Sequence, residues 1–205
     1  WPVAGVVGEN GAFWMRYDTQ RGKLVKRFLV GDAQRASSRA RLAQVGAAII
    51  AAVPGCALAS DQLYREADLA IDYCEDVPRL PRADVDRIVA LMEAEGMVVK
   101  VSSIHVNGWF GDYDKLGTAK RLFAEAFGLD LDAERDACLF VGDSPNDAAL
   151  FAHFPLSVGV ANVQAFADRI ATLPAYVTER EGGEGFAELA EALLVARGSP
   201  DASKA

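Results

Sequence analysis

Leu139-Phe140-Val141-Gly142-Asp143-Ser144-Pro145-Asn146-Asp147 is the stretch on which the reading of this chain turns. Cys138 to Val141 carry no charge and read as a buried strand. That strand delivers two carboxylates and an amide into the loop at its C-terminal end, where ligands of open α/β sheets bind. Asp143, at the strand tip, is a hard oxygen donor suited to Mg2+. Asn146 and Asp147, at the start of the next helix, can orient a ligand or a metal's waters. The alternative is an Asx turn that only caps the helix. The complete string G-D-x-x-N-D between an apolar strand and a helix favours chemistry.

Downstream, Leu150 and Phe151 close a helix, Leu156 to Val160 and Ala175 to Val177 read as strands, and Phe186, Leu189, Leu193 and Leu194 mark a last helix. Upstream, Leu122, Phe123, Ala126 and Phe127 make an amphipathic helix stopped by Gly128. Buried strands alternating with helices imply a parallel, doubly wound sheet. The tail, Gly198 to Ala205, is small and polar and should fray.

The first half differs in character. Trp1 to Val7 reads as a buried strand already under way, and Gly8-Glu9-Asn10-Gly11-Ala12 supplies turn chemistry. Phe13 to Tyr17 and Lys23 to Val30 make a hairpin pattern, Ala33 to Ala52 a helix, and Leu69 to Cys74 a short strand. Val85, Ile88, Val89 and Met92 lie at helical spacing, and Met97 to Val101 reads as a strand continuing to Val106. A boundary near Gly108 to Asp112 therefore separates a smaller α/β insert before it from sheet-and-helix core after it.

A formal charge of -8 argues against nucleic-acid or anionic-membrane surfaces while leaving room for a local cationic pocket. Cys56, Cys74 and Cys138 are widely spaced and read as reduced packing residues of a cytoplasmic protein. No apolar run is long enough to span a membrane. His105 and His153 are far apart and indicate no zinc cluster.

Val141 to Asp147 resembles the fourth motif of haloacid dehalogenase (HAD) superfamily phosphatases, in the form found in the Cof-type, sugar-phosphatase-like branch with a large α/β cap. Gly8 to Ala12 resembles the E-N-G-A turn after that branch's third core strand. Ser102 to Lys115 resembles its return from cap to core, which brings in a lysine. The resemblance runs through the whole chain in order. It implies a Rossmann-like parallel core, incomplete here, at residues 1–12 and 109–205, with an inserted α/β cap at 13–108, and a Mg2+-dependent phosphomonoester hydrolase acting on a sugar phosphate or similar small metabolite.

Carried over by position, Asp143 and Asp147 are the metal residues, Lys115 holds the transferring phosphoryl group, and Asn146 and Asn10 contact phosphate or substrate. A metal and an ammonium fixed in a dry site stabilise charge on the peripheral oxygens. A lysine opening a helix opposes the helix dipole, which favours a functional role for Lys115. In the cap, where the family selects its leaving group, Asp61, Tyr64, Arg65 and Asp72 are candidates; Arg65 suits a sugar phosphate or, alternatively, a salt bridge. His105 and Asn107 could face substrate, and Trp109 and Phe110 read as hinge packing.

The family's first motif, D-x-D after an apolar strand, supplies nucleophile and acid-base, and its second supplies a Ser or Thr. Neither is found. Asp84-Val85-Asp86 falls on a helix, Asp130-Leu131-Asp132 in a loop, and Asp112-Tyr113-Asp114 too close to Asp143. The expectation is that both motifs precede Trp1 and that these 205 residues alone are inactive. A non-catalytic phosphometabolite-binding or interaction module, and a phosphomutase, are the alternatives.

Overall fold

The computed structural model describes residues 3–198, which fall into two compact units, 1–133 and 134–205. Trp1-Pro2 of the expected first strand, and the tail beyond Gly198, lie outside the described residues.

The first unit opens with β1 (Val6–Gly8), a tight turn, β2 (Phe13–Asp18) and β3 (Lys23–Phe28), joined as an antiparallel sheet in that order. The hairpin is as expected. β1, however, is half-buried rather than buried and begins at Val6, with Val3 exposed. Phe13 packs edge-on against its register partner Phe28, their centroids 5.3 Å apart.

Next come α1 (Asp32–Ala52), β4 (Ala57–Leu58), β5 (Asp68–Asp72), α2 (Arg82–Ala94), β6 (Val98–Val101) and β7 (His105–Trp109). Their strands form an antiparallel sheet ordered β4-β5-β7-β6. The stretch expected as one strand to Val106 is thus two, folded back at Ser102 to Ile104. The Ser102 hydroxyl donates to the His105 carbonyl and accepts from its N–H, at 3.0 and 2.9 Å, which closes a turn that alternating polarity alone concealed.

Strand periodicity sorts this sheet into two faces. Leu69, Ile71 and Val106 face Leu42, Val45, Ile49 and Val53 of the α1 side and Val85, Ile88 and Met92 of α2. Gly108 belongs to the same face, where a Cβ would meet Met92 Sδ and Met97 Cε at 2.7 Å. The alternate positions pair Asp68 with Trp109, Ala70 with Asn107, and Asp72 with His105. Four buried polar side chains therefore share the face that α1 and α2 do not cover.

The unit ends with α3 (Lys115–Leu122), prolonged by a π turn through Phe127 and stopped by Gly128 in the left-handed conformation.

In the second unit β8 (Leu139–Gly142), α4 (Ala148–His153), β9 (Leu156–Gly159), β10 (Tyr176–Val177) and α5 (Gly182–Gly198) follow in turn. The strands form a parallel sheet, β10-β9-β8, so this part of the fold agrees with the α/β expectation. β8 is an edge strand of that sheet, which explains why Leu139 is exposed and the strand only half-buried. α5 already includes Gly182, Gly183 and Gly185, the glycines expected to precede it. Gly185 has no alternative there: a Cβ would lie 2.2 Å from the Arg180 carbonyl oxygen.

Ile88 is fully buried between α2 and the sheet. Ile88→Ala should lower the unfolding free energy by about 2–5 kcal/mol, the cost of lost burial plus a cavity, as measured by urea denaturation.

Candidate active site

In the first unit, a short turn gathers the expected residues. Glu9 and Asn10 have φ of +46° and +55°, and Gly11 has +105°. Asn tolerates that conformation and Gly requires no strain for it, whereas Glu does not favour it. What holds Glu9 is its side chain: the carboxylate accepts the backbone N–H groups of Glu66, Ala67 and Asp68 at the entry to β5. Burial nevertheless outweighs these bonds, and with Asp68 close by the Glu9 pKa is raised from its ordinary 4.5.

Asn10 donates to Asp68 Oδ2 at 2.9 Å, and the Arg65 guanidinium reaches both Asp68 oxygens at 3.1 and 3.3 Å and Asn107 Oδ1 at 3.4 Å. Arg65 also forms a two-pronged contact with Asp61, at 2.8 and 2.9 Å. Burial works against its charge, but the two aspartates more than compensate and raise its pKa. Asn10 and Arg65 are therefore brought together through Asp68, and Arg65 takes the salt-bridged form among its two expected roles.

Gly11 fits the turn directly onto the start of α3. A Cβ there would lie 2.2 Å from the Asp114 carbonyl oxygen and 2.9 Å from Lys115 N, and Thr118 donates to the Gly11 carbonyl at 2.6 Å. Asp114 caps α3 by accepting from Gly117 N at 2.6 Å, so Lys115 is the first helical residue. The E-N-G turn and the lysine, 104 positions apart from Gly11 to Lys115, are thus neighbours. Trp109 stacks on Tyr113, centroids 5.9 Å apart, at the return from β7. That is the packing role expected of Trp109.

In the second unit, Asp143 follows β8 at its C-terminal end. Its Oδ1 lies 2.9 Å from Ser144 Oγ, and its Oδ2 accepts from Asn162 Nδ2 at 3.2 Å. Ser144 Oγ also lies 2.9 Å from Asn146 Oδ1, so the loop is tied together beneath the carboxylate. Asp147 is buried and accepts the Asp143 N–H at 3.0 Å. Gly142 is obligatory in this packing, because a Cβ would lie 2.6 Å from Asp147 Oδ2. Asp143, Asn146 and Asp147 are brought together, with Asp143 forward and Asp147 behind.

Ser144 and Asn162 escaped the sequence reading, as did Glu9 and Asp68. Asn162 also accepts from Gly182 N at 3.0 Å, linking Asp143 to the start of α5. Nothing in the local sequence at 162 signals this, since its partners lie 19 and 20 residues away.

The donor set fits a hard divalent cation. Each Asp143 oxygen accepts one hydrogen bond from the protein and keeps a further lone pair, the usual arrangement of a carboxylate ligand oriented by outer partners.

No family model matches the sequence, and no curated protein sequence matches it. Solved structures do match in fold. The sucrose-phosphatase from Synechocystis sp. PCC6803, solved with sucrose and phosphate, superposes with a TM-score of 0.60 at 16% identity, covering 94% of this chain and 75% of that one. A HAD subclass IIB sugar phosphatase, BT4131, gives 0.58 at 9% identity, covering 94% and 76%. A Thermoplasma acidophilum protein, 0175, gives 0.56 at 22% identity, covering 92% and 71%. The chain has the fold of HAD superfamily phosphatases.

Glu9 provides a test of the turn. A carboxyl whose pKa is raised on folding contributes stability that is lost as pH rises through that pKa. Relative to Glu9→Gln, the wild type should become progressively less stable from pH 4 to pH 7 in chemical denaturation; the opposite slope would show that the carboxylate form is the favoured one.

Proposed function

We propose that this protein is a member of the HAD superfamily and a Mg2+-dependent phosphomonoester hydrolase acting on a sugar phosphate or similar small metabolite in the cytoplasm. The observation that supports the reading best is Asp143, a carboxylate at the C-terminal end of a parallel strand with both oxygens oriented and each with coordinating capacity left. The fold shared with sugar phosphatases supports phosphoryl transfer, although the fold alone chooses neither reaction nor substrate.

When bound, Mg2+ supplies Lewis-acid stabilisation to the phosphate oxygens. Asp143 is its ligand. Asp147 fixes the strand tip through the Asp143 N–H and completes the outer shell. Asn146, held next to Ser144, offers its amide to a phosphate oxygen. Lys115, at the first position of α3, is the ammonium that its motif position assigns to the phosphoryl charge. Asn10 orients the substrate from the turn that abuts Lys115, while Arg65 keeps Asp68 neutralised beside it.

The attacking carboxylate belongs to a segment outside these 205 residues. Its oxygen bonds to phosphorus as the ester oxygen leaves, and water then cleaves the aspartyl-phosphate to return the carboxylate and release phosphate. The 205 residues alone do not turn over. The cap comprises residues 13–108, and its side chains choose the leaving group.

The test is Mg2+-dependent phosphate release from a sugar-phosphate panel by the full-length protein. Lys115→Ala and Asp143→Ala should each lower kcat/KM about 10²- to 10³-fold. Asn162→Ala should weaken apparent Mg2+ affinity about 10- to 100-fold while kcat recovers at saturating Mg2+. Hydrolysis that persists in EDTA, or that is indifferent to Asp143→Ala, would overturn the assignment.

A further inference from the structure

β5 carries a carboxylate at each end. Asp68 belongs to the network around Asn10 and Arg65, but Asp72, four residues along, sits in different company. It is only 1% exposed, and its oxygens accept three backbone N–H groups: Cys74 and Glu75 on Oδ1, Asp76 on Oδ2. That accounts for three of roughly four acceptor positions on a carboxylate and leaves one open. Burial alone would raise the Asp72 pKa. The three amides and His105 reverse this and lower it, so the group is an anion across the neutral range.

His105, the register partner of Asp72 on β7, is 6% exposed. Its Nε2 lies 2.8 Å from Glu75 Oε2 yet is not aligned with it as a hydrogen bond, and it has no hydrogen-bond partner among the described residues. A buried ring nitrogen left this way is costly. One ligand atom from each of Asp72, Glu75 and His105 lies within 4.8 Å of the others.

From this geometry we propose that Asp72, Glu75 and His105 form a second cation site, separate from the one at Asp143, that binds a divalent transition metal ion of the zinc class. The chemistry of the three donors selects the ion. One imidazole and two carboxylates suit a borderline cation, while Mg2+ and Ca2+ prefer oxygen alone. Two donors 2.8 Å apart and off the hydrogen-bond line need to open by only about 0.6 Å to reach the separation of about 3.4 Å between tetrahedral ligands at bond lengths of about 2.1 Å. Two carboxylates and a neutral imidazole balance a dication, and the amides on Asp72 act as its outer shell. The two histidines of the chain are far apart in sequence, and the site draws on only one, with carboxylates supplying the rest. A bound ion would pin the turn after β5 to β7 and stiffen the sheet at the end remote from Asn10.

The experiment is a titration of the EDTA-treated chain with Zn2+ by calorimetry, and with Co2+ by visible absorption, in the Asp143→Asn background so that the other site does not compete. One equivalent of Zn2+ should bind with a rise in Tm, and Co2+ should give d–d bands. His105→Ala should abolish those bands, and Glu75→Gln, on an exposed side chain, should weaken Zn2+ at least about tenfold. A folded Asp143→Asn chain that binds no Zn2+, or a Zn2+ affinity unchanged in both Glu75→Gln and His105→Ala, would overturn the proposal. Neither result bears on hydrolysis, so the hydrolase assignment stands or falls separately.

Discussion

The Glu9 carboxylate holds three consecutive backbone N–H groups, and much of the first unit follows from that contact. It joins the turn after β1 to the start of β5, 57 to 59 residues away. To reach them the backbone adopts positive φ at three successive residues, a conformation that costs free energy unless the surroundings enforce it. The same turn sets Asn10 against Asp68 and brings Gly11 onto α3, which places Lys115. A buried carboxylate is an expensive anchor, as its raised pKa records. Its return is orientation: the direction in which the four-stranded sheet leaves β1 is tied to the residue that opens α3.

The four-stranded sheet separates stability from chemistry by its two-residue period. Leu69, Ile71, Val106 and Gly108 meet α1 and α2 and exclude water. Asp68, Asp72, His105 and Asn107 occupy the other face, and each buried polar group there needs a partner. Asp68 finds Asn10 and Arg65, Asp72 finds three amides, and His105 Nε2 finds, out of line, the Glu75 carboxylate. The two ends of one strand thus present chemically different sites.

In the second unit the economy is similar. Asp147 is spent on the backbone of Asp143, and Ser144 and Asn162 are spent on its oxygens. These contacts hold one carboxylate forward at the strand tip. A carboxylate so restrained loses little conformational entropy when it takes a ligand, which is the benefit of a built first and outer shell.

The string from Leu139 to Asp147 determined the parallel half of the fold and the identity of Asp143, Asn146 and Asp147, because strand, turn and helix signals there are local and mutually consistent. Helix-forming composition made α1 legible and helical spacing made α2 legible, with Ile88 facing inward as its periodicity requires. The fold-back at Ser102 to Ile104 was not legible, since alternating polarity is the same in one strand and in two. Nor were Glu9 holding β5, Asn162 orienting Asp143, or His105 meeting Asp72 and Glu75. Each of those depends on partners 19 to 59 residues away, or 30 to 33 for His105, and on which face a strand register exposes. Local sequence specifies residue types and periods; only the closed chain decides which buried polar groups meet, because that follows from tertiary registry and from the cost of leaving any of them unpaired.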